Sequence, residues 1–87
     1  MNISTKGRYG LRAMLDLAAN YEGKPVTLSA VAKRQSISEG YLEQLMMGLK
    51  KSNLVKSVRG AQGGYSLTLP PEEITVGAVF RALEGPI

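Results

Sequence analysis

Residues 37–53 decide the fold: Ile37-Ser38-Glu39-Gly40-Tyr41-Leu42-Glu43-Gln44-Leu45-Met46-Met47-Gly48-Leu49-Lys50-Lys51-Ser52-Asn53. Ser38 is a helix cap, because its hydroxyl oxygen can accept from an open amide of the first turn. Glu39 follows at the first helical position, where the helix dipole favours an anion. Ile37 precedes the cap and Leu42 lies four residues past it, the spacing of a hydrophobic staple. Leu42, Leu45, Met46 and Leu49 fall at i, i+3, i+4 and i+7 and predict one buried stripe. The opposite face carries Gly40, Glu43, Gln44, Met47 and Lys51. Asn53 suits a left-handed stop.

Working outward, a short helix precedes this one. Thr27 is its cap, Leu28, Val31 and Ala32 form its buried face, and Lys33 and Arg34 suit the negative end of its dipole. The turn between the two is Gln35-Ser36-Ile37. After the long helix come two strands, about Val55–Arg59 and Tyr65–Leu69. In the second, Tyr65, Leu67 and Leu69 alternate with Ser66 and Thr68. Gly60 to Gly64 form the tip between them, and Pro70-Pro71 ends the sheet. The amino-terminal helix runs from Ser4 or Thr5 to Tyr21, with Leu11, Met14, Leu15 and Ala18 as its apolar stripe. Gly7 and Gly10 weaken its first turns by up to ~1 kcal/mol each relative to alanine. Those turns therefore need close backbone approach, or the helix starts late. Thr75 caps a fourth helix with Ile74 and Val79 at staple spacing. Val76, Val79, Phe80 and Leu83 are its inner face, and Gly85 and Pro86 stop it.

The whole chain has 87 residues and no cysteine, histidine or tryptophan. That length fits one domain, with a radius of gyration of roughly 12 Å. Without cysteine or histidine, thiolate metal sites, cysteine nucleophiles and the usual general base are excluded. Asp16 is the only aspartate. The glutamates are scattered and no base–nucleophile pair is visible, so an enzyme is not expected, nor a cofactor or a metal. No stretch approaches the ~18 apolar residues of a membrane span. The amino terminus lacks the apolar core of a signal peptide. The expected location is the cytoplasm.

The net charge is +4. Residues 1–69 hold ten basic and four acidic side chains, a balance of +6, whereas residues 70–87 hold one basic and three acidic, a balance of −2. The run Lys50, Lys51, Lys56 and Arg59 contains no acid. Such a field suits a polyanion, and otherwise forms a solvated face.

Helix, helix, turn, helix, hairpin is the order of a winged helix-turn-helix: mainly α, with a small β-hairpin wing. The predicted layout is one DNA-binding domain over residues 1–87. Its helix-turn-helix covers about 28–51, its wing about 55–69 and its fourth helix about 75–84. The third helix has the width the major groove admits. Arg59 at the base of the wing suits the negative potential of a minor groove. Gly60 to Gly64 is not a phosphate loop, because it lacks the lysine-serine/threonine ending and leads into a strand.

Three stretches now make a resemblance plain. They are Ser4-Thr5-Lys6-Gly7-Arg8-Tyr9-Gly10, Tyr41-Leu42-Glu43-Gln44-Leu45, and Leu54-Val55-Lys56-Ser57-Val58-Arg59-Gly60 with Gly63-Gly64-Tyr65. They resemble the bacterial winged-helix family of the iron–sulfur cluster regulator (IscR) and the cysteine metabolism repressor (CymR). The resemblance spans nearly the whole chain. It implies a homodimeric transcription factor, usually a repressor, on a partly palindromic double-stranded DNA site. It also implies major-groove reading by Ser38, Gly40, Tyr41, Glu43 and Gln44, and a wing contact by Arg59, Gly60 and Gln62. Thr5, Lys6 and Arg8 resemble a backbone-contacting or packing element. Family members continue past the fourth helix into a loop and a long dimerisation helix, where cluster-binding members carry their cysteines; the sequence here is expected to be a fragment.

Each residue also has a simpler reading. Gln44 has the geometry for adenine N6 and N7, Glu43 for cytosine N4. Either is otherwise an exposed polar side chain. Tyr41 lies beside the buried stripe and is partly structural. Arg59 is otherwise a surface strand charge. Gly63 and Gly64 serve the turn. Lys51, with Lys50 and Lys56, touches phosphate or stays solvated. The rival function is a winged-helix protein-interaction module. It needs an exposed apolar patch, for which Met47 is the hint in the sequence.

Overall fold

A serine hydroxyl opens the first helix. Ser4, in extended conformation, accepts the Gly7 N–H at 3.0 Å, and helix α1 runs Thr5–Ala19. The computed structural model describes residues 4–61 and 63–84. Helix α2 spans Leu28–Gln35, and its Thr27 cap accepts the Ala30 N–H at 3.1 Å. It stops at Ser36, a non-glycine residue in the left-handed region at φ 57°. Helix α3 spans Glu39–Lys51, and its Ser38 cap accepts the Tyr41 N–H at 3.1 Å. Asn53, at φ 61°, turns the chain out of α3 as expected. Helix α4 spans Val76–Glu84, and its Thr75 cap accepts the Ala78 N–H at 3.0 Å. The expected stop at Gly85 and Pro86 lies outside the described residues.

The stripe of α3 is buried as its spacing predicts: Leu42, Leu45, Met46 and Leu49 sit in the core with Val31 and Ala32 of α2. The stripe expected for α1 is rotated. Met14 is buried, but Leu15 is 62% exposed and the buried face is Gly7, Gly10, Ala13, Met14 and Leu17. The cause is α4. It packs across α1, and a Cβ on Gly10 would collide with the Leu83 side chain. A Cβ on Gly7 would press on the Phe80 ring at 3.3 Å. Close approach therefore explains both glycines. A periodicity counted on large apolar residues cannot register a face whose key members have no side chain.

Rotation of α1 leaves Leu11, Leu15 and Ala18 against Ile74 and Val76 in a shallow apolar groove. Val76, expected on the inner face of α4, is 52% exposed at its rim. Val79 and Leu83 are buried as expected. Helix α4 lies on its own domain, against α1 and α3.

Strands β1, Val55–Val58, and β2, Gly64–Leu67, pair antiparallel with Val55 opposite Leu67 and Val58 opposite Gly64. Both are shorter than expected. The Thr68 N–H still bonds the Leu54 carbonyl at 3.1 Å, and its hydroxyl donates to the Asn53 carbonyl. Asn53 turns away there, so nothing opposes Leu69, which is exposed. At the other end Arg59 and Gly60 already belong to the tip. Two elements were not foreseen. A 3-10 turn covers Pro71–Glu73. Val26 bridges Tyr65 through paired backbone hydrogen bonds of 2.9 and 2.8 Å. The radius of gyration is 12.0 Å.

Candidate nucleic-acid interface

The outer face of α3 is open. Gly40, Glu43, Gln44, Met47 and Lys51 are exposed, as is the Ser38 cap. Met47 is 64% exposed, the largest apolar side chain on that face. A Cβ on Gly40 would meet open space, so no steric demand of the fold requires a glycine there. Tyr41 is half-buried. Its ring meets Tyr9 of α1 edge-on, with centroids 6.2 Å apart and planes at 83°. This aromatic pair ties the start of α3 to the start of α1. It spans 32 positions of sequence, and no local pattern announces it. The Arg12 guanidinium carbon lies over the Tyr9 ring, 5.3 Å from its centroid.

Thr5, Lys6 and Arg8 are exposed on the first turns of α1. Thr5 lies one turn before Tyr9 and shares its side of the helix. Lys6 and Arg8 are two positions apart and project toward nearly opposite sides, so the helix does not gather them into one patch. Arg59 is exposed at the end of β1, and Gly60 has a left-handed φ of 109° that favours glycine. Gln62 lies outside the described residues. Lys50 donates to the Ser57 hydroxyl at 3.0 Å, which joins the end of α3 to the wing. Lys51 and Lys56 are exposed.

One charge is withdrawn from this surface. The Arg34 guanidinium binds the Asp16 carboxylate through Nε–Oδ2 at 3.0 Å and Nη2–Oδ1 at 2.6 Å, and Gln35 Nε2 donates to Oδ2 at 3.1 Å. The hydrogen bond from Arg34 holds the Asp16 carboxyl below its ordinary pKa, against the opposing pull of burial. The same pair raises the Arg34 pKa. Arg34, expected to serve the dipole at the end of α2, instead clamps that end to α1. The signal available in sequence was the lone aspartate on an otherwise apolar side of α1.

This arrangement has close parallels. The family model for Rrf2, the iron-dependent transcriptional regulator, matches residues 3–87. The HTH-type transcriptional regulator CymR of Bacillus subtilis is 52% identical over 87 residues, which is 100% of this chain and 63% of that protein. The HTH-type transcriptional regulator IscR of Aliivibrio salmonicida is 50% identical over 84 residues, 97% of this chain and 50% of that protein. A solved structure of Bacillus subtilis CymR, described as the global cysteine regulator, superposes with a TM-score of 0.94 at 50% identity. It is covered over 67% of its length, and this chain over 100%. The chain thus spans 50–63% of the length of these curated relatives. They are named as regulators, not as enzymes. Among the described residues no helix is long and apolar enough to cross a membrane. With a winged helix-turn-helix fold and a match along nearly its whole length, the chain belongs to the Rrf2 family of transcriptional regulators.

Proposed function

We propose that this chain is the DNA-reading part of a bacterial transcriptional repressor that binds double-stranded DNA as a homodimer, in the cytoplasm where that DNA lies. The observation that carries the reading is the outer face of α3, where Gly40, Glu43 and Gln44 stand exposed on a helix whose other side is wholly buried. A helix so presented fits the major groove and offers an amide and a carboxylate to base edges. Ser38 and Tyr41 frame the first turn of that helix. Arg59 and Gly60, with Gln62 beside them in sequence, supply the wing contact, and Arg59 suits a narrow minor groove. Lys51, Thr5, Lys6 and Arg8 supply phosphate contacts or packing. The groove between α1 and α4, with Leu15 and Val76 at its rim, offers apolar surface to a second subunit.

Site selection from a random duplex library at physiological salt tests this. The expected result is an enriched palindrome with half-sites about one helical turn apart. An enriched single half-site leaves the reading surface in place and removes the dimer. Binding without enrichment that vanishes as salt rises would replace the whole reading with a protein-interaction module.

A further inference from the structure

We propose that Arg12 anchors the DNA backbone: its guanidinium, stacked over Tyr9, takes a phosphodiester oxygen beside the start of α3. This rests on the DNA-binding reading above and adds to it a residue that neither the family motifs nor the charge run single out. Three observations converge on it.

The first is placement. Arg12 is exposed, and its guanidinium carbon sits 5.3 Å from the Tyr9 centroid. That is within the range of a cation–π contact. Tyr9 is in turn set edge-on against Tyr41, in the first turn of α3. The series Arg12–Tyr9–Tyr41 thus links a cation, through two successive ring contacts, to the end of α3 that carries Gly40, Glu43 and Gln44.

The second is the fate of the nearest acid. Asp16 lies four residues after Arg12 on α1, the spacing at which a helix pairs opposite charges. Both its carboxylate oxygens are already engaged by Arg34, and one also by Gln35. Among the described residues the ion pair is Arg34 with Asp16, and Arg12 has no carboxylate partner. Its planar fork of donors remains available to an anion.

The third is chemical fit. A guanidinium binds phosphate through two parallel hydrogen bonds, and stacking on a ring limits the freedom it loses on doing so. The anion that approaches the first turn of α3 when that helix enters a groove is the phosphodiester backbone.

The test is a salt titration of binding to the selected duplex, or to a random-sequence duplex, by the wild-type chain and by Arg12→Ala and Arg12→Lys. Arg12→Ala is expected to bind about 5–20-fold more weakly at moderate salt, with a log–log salt slope shallower by about 0.9 per bound protomer. Its base preference stays that of the wild type, since a phosphate contact carries no sequence information. Arg12→Lys retains the slope and recovers part of the affinity. Circular dichroism confirms the fold, and Arg12→Gln replaces the alanine variant if that variant unfolds. A folded Arg12→Ala with the wild-type slope overturns the proposal while leaving DNA binding intact. So does Arg12→Lys falling with alanine at an unchanged slope, which marks a packing role. A wild-type chain with no duplex binding overturns both readings together.

Discussion

Arg34 and Asp16 face each other through two hydrogen bonds, one of 3.0 Å and one of 2.6 Å, with the carboxylate buried and the guanidinium half in water. The pair connects the last turn of α2 to the middle of α1, next to the left-handed Ser36 that sets the angle into α3. Its Coulomb gain is screened on the arginine side, so its value lies in hydrogen bonding to a buried anion.

Because the pair lowers the Asp16 pKa, the folded protein holds fewer protons on that carboxyl than the unfolded chain at acid pH. Stability from this group is fully present above the ordinary aspartate pKa of about 4 and is lost as pH falls through the lower folded value. Chemical denaturation between pH 7 and pH 3 should show that loss, and Asp16→Asn should flatten it. Asp16→Ala should cost about 1–2 kcal/mol at pH 7.

Gly10→Ala should destabilise the protein although it raises helix propensity. The gain is at most about 1 kcal/mol. The added methyl meets Leu83 in a packed interface, where overpacking costs about 1–3 kcal/mol. A rise in melting temperature for Gly10→Ala would mean that α4 does not press on α1 there. Combining it with Leu83→Ala should recover part of the loss, beyond the sum of the two single variants.

The rotation of α1 is testable with two leucines two positions apart. Leu17→Ala should cost about 2–5 kcal/mol. Leu15→Ser should change stability by no more than about 0.5 kcal/mol. Thermal melts of the two variants decide between the face seen here and the face that spacing alone suggests.

Arg59→Ala and Gln44→Ala should each weaken specific DNA binding by about 1–3 kcal/mol. On the proposed reading, Glu43→Ala should relax discrimination between sites more than it lowers affinity, because a carboxylate in a groove repels phosphate and penalises bases that cannot donate to it. Competition binding against a panel of single-base variants measures both. An unchanged panel for Glu43→Ala would remove it from base reading.

Caps and stripes were legible in the sequence because they are local. Ser38, Thr27 and Thr75 each sit where a hydroxyl meets an open amide, and the α3 stripe needs no partner to be recognised. The faces of α1 and the first turn of α4 were misplaced because two glycines and a distant helix set them. The strands were overextended because their ends depend on Asn53 turning away, a geometry that hydrophobic alternation does not encode. The candidate interface followed the same division. The outer face of α3 was readable from periodicity. Arg12 was not, since its position depends on a tyrosine pair separated by 32 residues and on an aspartate already engaged elsewhere.

The backbone bridge between Val26 and Tyr65 gives the wing a fulcrum. Tyr65 is held on one side by β1 and on the other by the segment that leads into α2. The hairpin is therefore fixed to the helical body at its root. On the DNA-binding reading proposed above, seating α3 in one groove also fixes where the root of the wing lies over the neighbouring one. The aim of the wing is thus set at its base, by one backbone bridge to the segment ahead of α2.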